Sequence, residues 1–102
     1  MLFRSGFDNN EYKLINSIRT QANLGTAKCG KPEVIEAVDN LYYTSVEFRN
    51  YSQYIPHNEE TIRLSSELSD MAKGLYDRYH TNEPVSMLYC TTKFGKIGRA
   101  HV

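Results

Sequence analysis

Between Pro32 and Pro56 the chain carries its strongest constraint. Val34, Val38, Leu41, Ser45, Phe48, Ser52 and Ile55 recur at helical spacing, with Ile35, Ala37 and Tyr42 flanking them. That period places apolar and small side chains along one face of an α-helix. Pro32 suits the first helical position, where a missing N–H costs nothing, and the residue before Pro56 avoids helical geometry. A helix over about 32–54 is therefore expected. An amphipathic helix of this length cannot bury its own stripe, so the rest of the chain must supply partners for it.

Two such partners are legible. Asp8 and Glu11 have the spacing of a capping box, in which each side chain satisfies an amide of the first turn. Leu14, Ile15, Ile18 and Ala22 follow as one helical stripe and Gly25 reads as the stop, which predicts a helix over 9–23. Asn58 with Glu59 and Glu60 marks another start, because a cap and two acids suit the positive end of a helix dipole. Leu64, Leu68, Met71, Ala72, Leu75 and Tyr79 form its stripe, and Asn82-Glu83-Pro84 breaks it.

Residues 85–92 are rich in β-formers and partly alternate, so they read as a short strand or an extended segment. The expected fold is mostly α: a three-helix domain built on an antiparallel helical hairpin joined at Pro56-His57-Asn58. The first helix crosses that pair, and the C-terminal strand runs along one edge. A chain of 102 residues has room for one domain, expected over 1–96. The last six residues, Ile97-Gly98-Arg99-Ala100-His101-Val102, read as a translated sequencing adapter and are set apart from the domain.

Charge and cysteine usage narrow the partners. Twelve basic and twelve acidic side chains cancel, which argues against a nucleic-acid binder, since that role needs a cationic surplus to displace counterions. The distribution is uneven: residues 1–32 carry five basic and two acidic side chains, and residues 33–80 carry nine acidic and four basic. A basic start and an acidic middle of this kind suit self-association, and a solvated surface accounts for them equally well. Cys29 and Cys90 lie far apart, no secretory signal follows Met1, and no apolar run is long enough for a bilayer. Free thiols in a cytoplasmic protein with no membrane partner are the resulting expectation.

Three sets of residues could carry chemistry. Gly25-x-x-x-x-Gly30-Lys31 has P-loop spacing, but Pro32 stands where a magnesium-binding Ser or Thr belongs and a helix leads in. What survives is a milder anion site. Lys28, Gly30 and Lys31 would supply charge and turn, and the Glu33 and Val34 amides would donate from the helix start. An ordinary interhelical loop is the competing account. The second set is aromatic: eight Tyr and four Phe against no Trp. Tyr43 and Tyr54 project opposite the apolar stripe, with Tyr51 between the faces, and amphipathic rings there suit an interface.

Glu33-x-x-Glu36 and Glu67-x-x-Asp70 make the third set. They resemble the ExxE…ExxD signature of the MazG-type all-α nucleoside triphosphate pyrophosphohydrolases, a resemblance covering eight positions. It implies four carboxylates holding magnesium between two helices. Helical spacing turns Glu33, Glu36 and Asp70 away from the apolar stripes, so in this chain they could meet only across a dimer. The histidines, His57, His80 and His101, lack metal-ligand spacing.

The leading expectation is a small non-enzymatic binding protein, oligomeric with copies of itself. It would be a viral or mobile-element inhibitor that sequesters a host protein or a small anionic nucleotide-type signal, with no cofactor. The alternative is the magnesium-dependent pyrophosphohydrolase.

Overall fold

The first helix, α1 (Asn9–Thr26), starts on the capping box: Glu11 N–H donates to Asp8 Oδ1 at 2.8 Å, and Asp8 N–H to Glu11 Oε1 at 3.1 Å. Ile15, Ile18 and Ala22 are its buried stripe. The structure, a computed structural model, describes residues 8–55 and 59–100. Gly25 does not end α1, which runs one residue beyond it and is capped at Ala27. It is glycine because the Phe94 ring lies against its Cα, so that any Cβ would run into the ring. The residue that turns the chain is Gly30, at φ +84°, a left-handed conformation that L side chains rarely adopt.

The second helix, α2 (Val34–Ser52), buries Val34, Val38, Leu41, Ser45, Phe48 and Ser52, the expected stripe without Ile55. Pro32 sits in the preceding turn rather than at the first helical position, and the Val34 N–H donates to the Lys31 carbonyl at 3.1 Å. The third helix, α3 (Glu59–Tyr79), buries Thr61, Ser65, Leu68, Ser69, Ala72 and Leu75. The buried hydroxyls of Ser45, Ser65 and Ser69 each donate to a carbonyl three residues back, so these polar groups enter the core without a lost hydrogen bond. The cap at Asn58 and the turn at 56–58 lie outside the described residues.

The expected C-terminal strand is replaced by a fourth helix, α4 (Met87–Gly98), and no strand occurs among the described residues. Ser86 caps it, accepting from the Tyr89 N–H at 3.0 Å. Cys90, Phe94 and Ile97 then fall on one face and are fully buried. The β-prone side chains of 85–92 are overridden by that face, which has α1 to pack against. The mostly helical expectation holds, but with four helices among the described residues rather than three. Ile97 and Gly98, set apart at the sequence level, form the last turn of α4.

Contact pairs give the directions. Gln21 meets Thr44 and Asn10 meets Tyr51, so α1 and α2 are antiparallel. Asp39 meets His80 and Tyr42 meets Tyr76, so α2 and α3 are too. Gly25 meets Phe94 and Cys29 is bonded to Cys90, which sets α4 antiparallel to α1. The free-thiol expectation is overturned: the two cysteines form a disulfide, with sulfurs brought together across 61 residues by the α1–α4 packing. The described residues extend 48 × 20 × 17 Å. At 12 residues α4 is roughly 18 Å long, so it covers only part of a bundle that α1, α2 and α3 run further along.

Candidate functional site

The loop expected to bind anions is spent largely on structure. Gly30 serves its turn, Cys29 is buried in the disulfide, and the Val34 amide, one of two expected donors, is committed to the Lys31 carbonyl. Lys31 is exposed and does not line the groove that Lys28 lines. Lys28 alone of the three residues goes somewhere specific: it lines a groove between the C-terminal half of α1 and the N-terminal half of α2.

That groove has a volume of about 370 Å³ and is lined by Gln21, Leu24, Gly25 and Lys28 from α1 and its cap, and by Ala37, Asn40, Tyr43 and Thr44 from α2. Its polar wall is fixed by hydrogen bonds. The Gln21 side-chain amide donates to Ser17 Oγ at 3.0 Å and to Thr44 Oγ1 at 2.9 Å, and the Thr44 hydroxyl donates to the Asn40 carbonyl at 2.9 Å. Leu24 and Tyr43 form the exposed apolar rims, at 62% and 58% exposure.

Of the three tyrosines expected at an interface, two present exposed rings. Tyr43 and Tyr54 are exposed, Tyr54 at 84%, and with Val46, Glu47, Asn50 and Tyr51 they line a shallow depression of about 540 Å³ on the outer face of α2. Tyr51 is engaged within the chain: its hydroxyl donates to Asp8 Oδ2 at 2.7 Å and accepts from Asn10 Nδ2 at 3.2 Å. The Asp8 bond, which favours the protonated phenol, raises the Tyr51 pKa above its ordinary 10.0.

The four carboxylates of the metal reading, Glu33, Glu36, Glu67 and Asp70, are all exposed. Among the described residues no three His, Cys, Asp or Glu side chains converge as a metal would require. Sequence reasoning missed a different cluster. His80 Nε2 lies 2.8 Å from Asp39 Oδ1, and the His80 ring stacks 4.3 Å from Tyr76, which in turn lies 4.5 Å from Tyr42. The neighbouring Tyr43 hydroxyl raises the Tyr76 pKa. The signal was present as Asp39, Tyr42 and Tyr43 on one helical face and Tyr76 with His80 on another, but only packing joins the two faces.

No family model, curated protein or solved structure matches the chain.

Proposed function

We propose that this is a non-enzymatic binding protein that assembles with copies of itself through the outer face of α2. The observation that carries this reading is the pair Tyr43 and Tyr54, two rings left largely in water along one helix whose opposite face is fully buried. Large amphipathic rings in that position supply contact area at low entropic cost and a hydroxyl for a wet boundary. The same face could hold a host protein to be sequestered, which a heterologous complex in place of a self-associated one would reveal. The pyrophosphohydrolase alternative would need its four carboxylates, which are exposed and do not converge within one chain, to meet across a dimer.

The cytoplasmic expectation rested in part on free thiols, and that premise is gone. We infer instead a protein for an oxidising compartment, a reading supported by the buried Cys29–Cys90 disulfide. None of the described helices is long and apolar enough to cross a membrane.

Native mass spectrometry and sedimentation of the oxidised protein test the assembly. A dimer or larger species is expected at micromolar concentration, and the double variant Tyr43→Glu/Tyr54→Glu is expected to be monomeric with its helix content intact. A wild type that remains a monomer across that range overturns the reading.

A further inference from the structure

We propose that the groove between α1 and α2 binds a planar aromatic anion of the size and charge of a nucleoside monophosphate, with its ring against Tyr43 and its acidic group on Lys28. This goes beyond the self-association reading, since it assigns a small ligand to the groove on the α1 side of Tyr43, a residue that both surfaces share.

The size comes first. A cavity of about 370 Å³ falls within the roughly 300–1,000 Å³ typical of small-molecule sites, and it mixes apolar walls with a few convergent polar groups as such sites do. Leu24 and Tyr43 are the apolar rims, and the short side chain of Ala37 leaves space between the helices.

Charge selects an anion. Lys28 is the only ionisable side chain besides the Tyr43 phenol among the lining residues, and no carboxylate shares the groove. No ion pair engages Lys28 among the described residues. An ammonium set in a concave apolar surface with no counter-charge attracts an anion more strongly than the same group on open surface, because water screens it less.

One lysine is too little for a bare phosphate, however. The backbone donors that would have assisted it at the start of α2 are diminished: Pro32 has no N–H, and the Val34 N–H is bonded to Lys31. The rest of the binding energy must come from a ring. Tyr43 is placed to supply it, for its exposed ring lines the groove, with the Tyr42 and Tyr76 ring centroids 5.9 and 6.3 Å away. A planar ligand stacking on such a ring gains contact area at low entropic cost. Asn40 is exposed, and its carboxamide offers both donors and an acceptor to a heterocycle edge. A single ammonium matches one phosphate group, which is why a monophosphate is favoured over a triphosphate.

Calorimetric titration of the oxidised full chain with adenosine 5′-monophosphate, adenosine and inorganic phosphate tests the site. The monophosphate should bind one per chain, and adenosine and phosphate should each bind more weakly. Lys28→Ala should weaken the monophosphate by about ten-fold, the effect of one charge-assisted hydrogen bond, and leave adenosine unchanged. Tyr43→Leu should weaken the monophosphate and adenosine alike. Lys31→Ala should change neither, since Lys31 does not line the groove. Circular dichroism and sedimentation of each variant separate loss of the site from loss of fold or assembly. The proposal is overturned if the folded wild type binds no monophosphate, if adenosine binds as tightly as its phosphate, or if Lys28→Ala and Lys31→Ala behave alike.

Discussion

Tyr51 shows how one hydroxyl can be drawn from a surface role into the fold. Asp8 divides its carboxylate, with Oδ1 capping α1 and Oδ2 accepting from the Tyr51 phenol on α2. The bond therefore ties the start of one helix to the end of the next. Because it raises the folded-state pKa of Tyr51, its stabilisation is complete below the unfolded tyrosine's 10.0 and is lost as pH rises through the higher folded value. Tyr51→Phe is accordingly expected to lower the urea midpoint at neutral pH. The gap between variant and wild type should close well above pH 10.0, as wild type loses the bond that the variant never had. Equal gaps at both pH values would show that the hydroxyl makes no pH-linked contribution.

At the scale of elements, α4 offers the sharpest discrimination. A strand over 85–92 continuing to Phe94 would put Leu88, Cys90, Thr92 and Phe94 on one face, whereas a helix separates Leu88 from Cys90 and Phe94. The structure has Leu88 77% exposed and Phe94 fully buried against Gly25. Phe94→Ala should thus cost about 3–5 kcal/mol of stability, and Leu88→Ala no more than about 0.5 kcal/mol. Denaturant unfolding of the two variants measures this difference. Comparable losses at both positions would restore the strand.

For the whole molecule, the disulfide is the covalent link between distant parts of the chain, closing a stretch of 61 residues. A bundle only 20 × 17 Å in cross-section has limited room for a core, so a covalent link carries proportionately more weight. Joining residues 61 apart reduces the entropy of the unfolded chain by an amount worth about 4 kcal/mol in the loop-closure account. Reduction, or Cys29→Ser with Cys90→Ser, should remove stability of that order. Urea titrations with and without reductant provide the check, and coincident curves would make the bond incidental to the fold. A protein that depends on this bond is suited to an oxidising compartment, as proposed above.

What could be read without coordinates was local. The Asp8–Glu11 capping box and the buried stripe from Val34 to Ser52 depend on residues within a turn or two of one another, so spacing alone carries them. The mostly helical class followed from three such stripes. The remaining features depend on distant partners. Residues 85–92 have strand-like composition, and only burial of Cys90 and Phe94 against α1 makes the chain helical from Met87 onward. The pairing of Cys29 with Cys90 needed α1 and α4 side by side. Gly25 had the look of a stop, and Phe94 made it a packing residue. The groove is the extreme case: Lys28 was legible as a cation and Tyr43 as an exposed ring, but no rule of spacing relates residues on different helices. Tertiary structure decided that they share one cavity, because side chains on separate helices become neighbours only when the buried stripes of both helices have found each other.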